Sequence, residues 1–375
     1  MHRLRTLVLA ALFAATATAC SAADPNLQSL TLPPGFAIAP YAQVPGARSL
    51  SVAPPLGVVF VGTRSNSVFA IVDADRDNKP EKVVRVLSGL KVPNGIAWRD
   101  GYLYVAEQHR VVRFRAGSLK ELAASRPQVL FGRLPDNRWH GWRYAAFGPD
   151  GWLYVAVGAP CNICRIKGME GTIIRIRPPR GGQSVGTLRP EIFARGIRNS
   201  VGLAFHPVTK SLYFTDNGAD YMGDDLPPEE LNHAPRAGLH FGYPYYGGGD
   251  ARTPDFRDET PPQKTTLPVV RFAAHNAALG LHFYQGSMLP SEYRHDAFVA
   301  QHGSWNRSDP DGYRVVRVRF DKNHKATGFE PFIEGWLQAD GSAWGRPVDV
   351  TELPDGSLLL SDDRQGLVYR ITYRK

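Results

Sequence analysis

A histidine between two tryptophans is the first residue in this sequence that could do chemistry. His140 stands in the stretch RWHGWR, flanked by Trp139 and Trp142, just before an apolar segment. Histidine near its ordinary pKa is the usual proton acceptor when a hydroxyl group is oxidised. The alternative is a packed or hydrogen-bonded histidine at the entrance of a strand, and sequence position alone leaves both interpretations open.

A basic residue next to an amide forms a second candidate. In FARGIRNSVGLAFHP, Arg198 is followed directly by Asn199. A guanidinium group matches a carboxylate with two parallel hydrogen bonds, and a neighbouring amide adds a further donor. The pair could therefore clamp a carboxylate, but an ion pair at a sheet edge would explain it equally well.

An acidic segment, TDNGADYMGDDLPPEELNHA, follows this pair. Carboxylate and carbonyl oxygens on a loop that contains glycine suit calcium, although the twelve-residue spacing of an EF-hand is absent. A solvated acidic loop is the alternative. The acidic side chains of this segment are Asp216, Asp220, Asp224, Asp225, Glu229 and Glu230.

A CxxC motif is formed by Cys161 and Cys164. The sequence has no second CxxC and no nearby pair of histidines, which argues against a structural zinc site, and no histidine follows Cys164 as haem attachment requires. In an exported protein the motif predicts a local disulfide. We expect that disulfide to take no part in the chemistry.

The first 23 residues have the pattern of a secretory signal peptide, with a basic start, an apolar core and small residues before the cleavage region. Two processing schemes fit. Cleavage after Ala23 gives a soluble periplasmic or secreted protein, and cleavage before Cys20 gives a lipoprotein whose only membrane attachment is a lipid on Cys20. Either scheme puts Cys161 and Cys164 in an oxidising compartment.

Composition and charge narrow the classes further. The 375 residues carry a formal net charge of +9, but no basic run or recognition motif of a nucleic-acid-binding protein. No apolar run near eighteen residues follows the leader, so the sequence predicts no transmembrane helix. Scattered basic side chains agree better with a small polyanion as ligand, or with a contribution to solubility alone.

The elements that must position these residues come from an internal repeat. Each copy has an apolar strand, a tight turn, an aromatic and aliphatic strand ending in Gly or Asp, and a third strand, with the period-two pattern of antiparallel hairpins. Six copies predict an all-β fold, a six-bladed β-propeller of four-stranded antiparallel blades, as a single domain over residues 24–375. The copies begin at Leu50, Asn94, Tyr144, Val201, Leu279 and Val348.

Together these stretches resemble the glucose/sorbosone dehydrogenase family, soluble quinoproteins that use pyrroloquinoline quinone (PQQ). The stretches HGWRYAAFGPDGWLYVAVGAPCNIC, RGIRNSVGLAFHP, HGSWNR and GRPVDVTELPDGSLLLSDD are most similar to the sorbosone dehydrogenase branch. The resemblance covers nearly the whole mature chain. It implies a sugar dehydrogenase that oxidises an aldose or a sorbosone-like sugar and passes electrons to an external acceptor.

The resemblance also implies roles for individual residues. His140 matches the general base, Arg198 the arginine at the reactive quinone carbonyl, and Asn199 an amide that contacts the cofactor. Arg346 matches an arginine that holds a cofactor carboxylate, and His275 is a further candidate near the cofactor, with a packed core position as its alternative.

The same comparison implies calcium ligands. Gly218 and Ala219 match positions whose backbone carbonyls bind the calcium below the quinone. Glu230 matches a ligand of a second calcium found in some relatives, with the carbonyl of Phe241 as its partner.

Two positions depart from the family pattern. Relatives specialised for glucose have an aspartate after the glycine that ends the strand, whereas Gly158 is followed here by Ala159. A lysine that pairs with the cofactor has no evident counterpart, and the matching region offers His302, Trp305 and Arg307 instead. Two other classes therefore stay open, which are a calcium-dependent six-bladed lactonase and a non-catalytic propeller that binds a sugar or a partner.

Overall fold

The repeats fold as the hairpins that the sequence predicts. The computed structural model describes residues 26–179 and 188–374, and these are almost entirely β-strand, turn and loop. Six mainly antiparallel sheets form a six-bladed β-propeller, so the predicted fold class is confirmed. The predicted leader over residues 1–23, with Cys20, lies outside the described residues.

The first three blades begin with the first three repeats. Blade 1 consists of Ala47–Ala53, Val58–Thr63, Val68–Val72 and Lys82–Leu87. Blade 2 consists of Gly95–Arg99, Tyr102–Ala106, Val111–Arg115 and Gln128–Phe131. Blade 3 consists of Ala145–Phe147, Leu153–Val157, Thr172–Ile176 and Glu191–Arg195, with Leu239–His240 added parallel at its outer edge.

The remaining blades follow the same order. Blade 4 consists of Leu203–Phe205, Leu212–Asp216, Glu229–Ala234 and Val270–Phe272. Blade 5 consists of Ala278–Phe283, Ala297–Gln301, Arg314–Phe320 and Ala326–Ile333. Blade 6 consists of Pro347–Glu352, Leu358–Asp362, Leu367–Tyr373 and Phe36–Gln43.

The N-terminal strand closes the ring. Phe36–Gln43 pairs antiparallel with Leu367–Tyr373, so the outer strand of blade 6 comes from the start of the chain. The innermost strand of every blade contacts the innermost strands of both neighbouring blades. Closure therefore joins both ends of the described chain through a full ladder of backbone hydrogen bonds.

Apolar side chains fill the spaces between adjacent blades. Phe60 of blade 1 packs in one cluster with Leu103 of blade 2, and Phe272 of blade 4 with Phe283 of blade 5. All four are at most 2% exposed. Burying each such side chain stabilises the fold by about 1.5–3 kcal/mol, so the interblade packing holds the ring together.

Hydrogen bonds join opposite blades across the central axis, inside the ring of innermost strands. The Tyr144 hydroxyl of blade 3 donates to Asp349 of blade 6, 3.0 Å from Oδ1, and the backbone N–H of Leu50 in blade 1 donates to Asp349 Oδ2 at 2.8 Å. Burial raises the pKa of Asp349 to about 7. We call this group of Tyr144, Asp349 and Leu50 the axial plug.

Few other regular elements occur in the described chain. Leu119–Ala124 is a short α-helix, whose N-cap Ser118 accepts a hydrogen bond from the backbone of Glu121. A small hairpin pairs Tyr246–Gly247 with Ala251–Arg252. Among the described helices, none has the length and apolar character needed to cross a membrane. The 3₁₀ turns are Leu27–Ser29, Pro54–Leu56, Pro254–Phe256 and Ser291–Tyr293.

The strand order defines two faces. Because each blade is antiparallel, the links from second to third strand and from each blade to the next emerge on one face, which we call the front face. The links from first to second and from third to fourth strand emerge on the opposite, back face. All of the residues predicted from the sequence to be catalytic or to bind the cofactor belong to front-face links or to the strand ends beside them.

Candidate active site

A cavity of about 590 Å³ opens on the front face. It is lined by side chains from links that are far apart in sequence, as expected for the mouth of a propeller. Of the residues singled out from the sequence, the lining includes His140, Arg198, Asn199, Gly218, His275, His302, Trp305 and Arg346.

His140 has a defined orientation in this cavity. Its backbone is left-handed, with φ of 48°. A Cβ added at Gly158 would lie only 2.4 Å from the Cβ of His140. Only glycine at position 158 leaves room for the histidine. The strand end of blade 3 thus accommodates His140 through the absence of a side chain.

The hydrogen bond of the imidazole fixes which nitrogen is free. Nδ1 of His140 lies 2.8 Å from the carbonyl oxygen of Ala159, so Nδ1 carries the proton and Nε2 keeps its lone pair. Burial, and then the charge of Arg198, lower the pKa of His140 to about 3, so the ring is neutral at pH 7. At the position where glucose-specialised relatives have an aspartate, the backbone carbonyl of Ala159 therefore orients the imidazole.

Arg198 is buried and held by several acceptors. Nη2 donates to Asp220 Oδ2 and to Asn162 Oδ1, both at 2.8 Å, and Nη1 donates to the carbonyl of Asn217 at 3.2 Å. Nε donates to the carbonyl of Asn162 at 3.0 Å. A guanidinium group has five N–H donors, so one hydrogen on Nη1 has no acceptor among the described residues.

The CxxC segment forms the predicted disulfide between Cys161 and Cys164. The expectation that this segment stands apart from the chemistry needs correction. Asn162, between the two cysteines, supplies two of the acceptors of Arg198 and also accepts from the backbone N–H of Asp220 at 2.8 Å. The disulfide loop is therefore a positioning element for Arg198.

Two arginines of blade 1 lie in the cavity wall although no sequence motif marks them. Arg48 is fully buried, and its Nη1 donates to Asp363 Oδ2 at 2.6 Å while its Nη2 has no hydrogen-bond partner among the described residues. Arg64 lies over the ring of Trp142, 3.9 Å from its centroid. An unpaired buried donor costs about 1–3 kcal/mol unless a ligand satisfies it.

His302 is tied to the same carboxylate. Its Nε2 donates to Asp363 Oδ1 at 2.8 Å, which leaves Nδ1 as the acceptor nitrogen, and burial lowers its pKa to about 4. Burial raises the pKa of Asp363, but hydrogen bonds and charges of His302 and Arg48 outweigh it, and the net shift is downward. Asp363 thus orients two cavity side chains at once.

The other predicted cofactor contacts divide into two groups. Arg346 donates to the carbonyls of His302 and Gly303 and lies in the cavity wall, as does His275, whose Nε2 is 2.8 Å from the carbonyl of Gly223. Arg307 does not line the cavity. It donates to backbone carbonyls of Asp224 and Ala274 and so fastens one front-face link to another.

The acidic segment folds into strands and loop rather than a single loop. Asp216, Glu229 and Glu230 lie on blade 4 and are at most 4% exposed. Burial raises the pKa of Asp216 to about 7 and of Glu229 to about 8, and raises that of Glu230 strongly. A cation beside these carboxyl groups would favour their charged forms.

The predicted metal ligands are distributed on two sides of one wall. Gly218 lines the main cavity, and its backbone N–H donates to Glu229 Oε2 at 3.0 Å. Ala219, Glu230 and Phe241 instead line a small cavity of about 10 Å³ directly behind, which Gly218 also borders. That volume holds about one water-sized particle.

Aromatic side chains surround the mouth. Trp139 is 54% exposed, Tyr221 is 74% exposed and Trp305 is 64% exposed. The rings of Tyr221 and Trp305 meet edge to face at 5.7 Å, and Trp139 stands edge to face with the His140 ring at 5.9 Å. Exposed, mutually oriented aromatic rings at a cavity mouth are suited to packing against the apolar faces of a ligand.

The comparisons with known proteins agree with this architecture. The sequence model of the family described as glucose/sorbosone dehydrogenase matches residues 99–370. A curated relative from Borreliella burgdorferi, described as an uncharacterized protein, is 34% identical over 331 residues, which cover 85% of this chain and 84% of the relative.

Two solved structures are similar in fold. The holo form of the pyranose dehydrogenase PQQ domain from Coprinopsis cinerea has a TM-score of 0.72 and 19% identity, covering 92% of this chain and 97% of that chain. The calcium structure of a Trichoderma reesei carbohydrate-active enzyme has a TM-score of 0.74 and 18% identity, covering 95% of this chain and all, 100%, of that chain. At these identities both support the fold alone.

Proposed function

The chain belongs to the glucose/sorbosone dehydrogenase family, a family of sugar oxidoreductases, and from this premise we propose that it is a PQQ-dependent dehydrogenase. The substrate class is an aldose or a sorbosone-like sugar, as hemiacetal or aldehyde hydrate. The observation that carries the proposal is a neutral histidine with a free Nε2 in a cavity whose wall also contains the guanidinium groups of Arg48, Arg198 and Arg346.

The lining residues fit a quinone that bears three carboxylates. Arg48, Arg64 and Arg346 lie in the cavity wall, and the buried Nη2 of Arg48 is a donor without an acceptor in the described part of the chain. Such a donor set suits an anionic ligand with several carboxylates better than a neutral one. Asn199, whose side chain also lines the cavity, supplies a neutral amide to the same ligand.

Calcium fits the acidic side of the cavity. Gly218 borders both the main cavity and the small cavity behind it, and Ala219 borders the small one, while Glu229 and Glu230 are buried carboxyl groups with raised pKa values. Hard oxygen donors of this kind are the ligands that calcium takes. We propose one calcium below the quinone and a second one beside Glu230 and the carbonyl of Phe241.

The residues of the chain then divide the chemistry. When bound, PQQ supplies the electrophilic carbonyl carbon that accepts hydride, and calcium supplies Lewis acidity. Nε2 of His140 takes the proton from the sugar hydroxyl as hydride leaves the same carbon. Arg198 directs its remaining Nη1 hydrogen and its positive charge at developing negative charge. The exposed rings of Trp139 and Trp305 hold the sugar at the mouth.

Electron transfer and location belong to the same proposal. The proposed reaction needs an external acceptor for the two electrons taken from the sugar. The disulfide of Cys161 and Cys164 and the leader-like first 23 residues support a periplasmic or secreted protein, and Cys20 offers a lipid attachment.

A calcium-dependent lactonase is the second candidate from another class. It would need side-chain carboxylates from several blades converging on one metal ion. The described acidic residues that line the front cavity, Asp220 and Glu229, both belong to blade 4, and Asp220 is paired with Arg198. This arrangement favours the dehydrogenase.

Dye reduction with a panel of aldoses and sorbosone-like aldehydes tests the proposal. Protein treated with EDTA is assayed with no addition, with PQQ alone, with calcium alone and with both. We expect sugar-dependent dye reduction only when both are present. Lactone hydrolysis that needs calcium but no quinone would instead establish the lactonase, and sugar binding without either reaction would establish a non-catalytic propeller.

A further inference from the structure

An acidic link lies on the back face, far from the site just described. It connects Val68–Val72 to Lys82–Leu87 in blade 1 and reads DADRDNKPE over residues 73–81. The two strands pair antiparallel with Val72 opposite Lys82, and the backbone N–H of Glu81 donates to the carbonyl of Val72 at 2.9 Å. The hairpin therefore brings the first and last residues of the link side by side.

Three carboxylates of this link converge. One oxygen of each of Asp73, Asp75 and Glu81 lies within 4.8 Å of the other two. In the described chain, no lysine or arginine nitrogen lies within 4.0 Å of these carboxylates. The two basic side chains of the link have other partners, since Arg76 donates to the carbonyl of Pro55 and Lys79 pairs with Asp77. Their negative charges are thus close together without a paired cation.

A second observation points to a ligand. Asp73 is only 8% exposed, and its Oδ1 receives no hydrogen bond from any described residue. A buried carboxylate oxygen without a donor is costly, since desolvation of the charge is not repaid. Asp73 belongs to the converging group, and its Oδ2 accepts from the backbone N–H of Asn78 at 3.1 Å, so a cation held by the group would lie beside this buried carboxylate and offset its charge.

The spacing of the link matches oxygen ligation in a tight loop. Helix-flanked calcium loops use positions 1, 3, 5, 7 and 9, with a sharp turn at position 6. With Asp73 as position 1, positions 3, 5 and 9 are Asp75, Asp77 and Glu81. Position 7 is Lys79, which offers its backbone carbonyl, and the turn at position 6 is Asn78, whose φ is 64°. The carboxylate at position 12 of those loops is absent, but the hairpin brings Glu81 beside Asp73.

We propose that residues 73–81 form a calcium-binding loop that is independent of the front-face cavity. The donors are all oxygens, which favours calcium over zinc or copper. Bound calcium would fix the third-to-fourth-strand link of blade 1 against the back face. This inference does not depend on the proposed function, because no residue of the loop lines the front cavity.

Calcium binding is tested by equilibrium dialysis of radioactive calcium against metal-stripped protein without PQQ. The variant carries Asp75→Asn and Glu81→Gln, since both side chains are exposed and their replacements still accept hydrogen bonds. The matched control is Asp321→Asn in the corresponding link of blade 5, where the carboxylate accepts backbone N–H groups of Asn323 and Lys325.

We expect the wild type and the control to bind one calcium more than the double variant, or the variant to bind it at least roughly tenfold more weakly. The thermal midpoint should rise with added calcium by a smaller amount in the double variant than in the control. Equal stoichiometry and affinity in all three proteins would overturn the proposal. If the double variant does not fold, Asp75→Asn alone is measured in the same way and judged by the same criterion.

Sugar-dependent dye reduction of the double variant separates the two calcium proposals. With saturating PQQ and calcium its turnover should equal that of the control. A protein that fails as a dehydrogenase but loses one calcium in the variant would refute the proposed function and leave the loop assignment standing.

Discussion

The front and back faces of the propeller carry six non-glycine residues each with left-handed backbone in the described chain, but they use them differently. On the front face His140 and His275 have this conformation, and both side chains line the cavity. On the back face Asp100 and Lys210 have it at exposed hairpin turns. The same local strain of roughly 1–3 kcal/mol orients chemical groups on one face and closes turns on the other.

The largest effect is expected from removing the front-face base. His140→Gln should lower turnover roughly a thousandfold, within the range of general base catalysis, because its amide is not basic enough to accept the proton. Dye reduction at saturating sugar, PQQ and calcium measures it, and PQQ titration should show binding retained. The control is His324→Gln on the back face, which should keep full turnover. Equal turnover in both variants would remove the functional difference between the faces.

A smaller but specific loss is expected from Gly158→Ala. The new Cβ would overlap the Cβ of His140, so the imidazole must move, and a displacement near 1 Å costs about a hundredfold in turnover. Gly132→Ala makes the same change where the nearest side-chain atom is 3.5 Å away and should be neutral. A normal kcat in Gly158→Ala would show that His140 does not depend on this fit.

A loss of roughly tenfold is expected from Asn162→Ala. The change removes the Oδ1 acceptor of Arg198 Nη2 while the backbone acceptor remains, so Arg198 is loosened but not lost. Steady-state kinetics should show a lower kcat with KM for sugar little changed. Asn323→Ala in an exposed back-face turn is the control. An unchanged kcat would return the disulfide loop to the purely structural role first expected for it.

The smallest expected effect is on the pH dependence of kcat/KM. The pKa of His140 is lowered to about 3, so the neutral form persists as pH falls and protonation begins only well below the ordinary 6.5. The acid limb of kcat/KM should therefore lie below pH 6.5, with no loss of activity between pH 8 and 6.5. A limb centred at 6.5, absent in His140→Gln, would mean that the imidazole is more solvated in the working enzyme.

The fold could be predicted because its signals are local. Each repeat carries its own turn residues and its own alternation of apolar and polar residues. Gly148-Pro149-Asp150-Gly151, for example, forms its hairpin turn independently of the neighbouring blades. The parallel addition of Leu239–His240 and the N-terminal strand of blade 6 carry no such local signal. They depend on pairing across long stretches of chain.

The site was predictable only in part, for the same reason. His140, Arg198 and Asn199 stand in distinctive stretches beside strand entrances. Arg48 and Arg64 do not, and they reach the cavity only because blade 1 closes beside blade 6. The acceptors around Arg198 likewise come from two segments, the disulfide loop and the acidic segment. The convergence of Asp73 with Glu81 follows from a strand register that composition does not reveal.

The axial plug has a consequence for the order of events. Tyr144, Asp349 and Leu50 tie blades 3, 6 and 1 together across the axis, and all three residues are at most 8% exposed. We expect the front-face opening of the cavity to serve both reaction partners. Under the proposed function, oxidised sugar must leave before the electron acceptor can approach. The kinetics should be ping-pong, with each of the two partners acting at high concentration as a competitive inhibitor of the other.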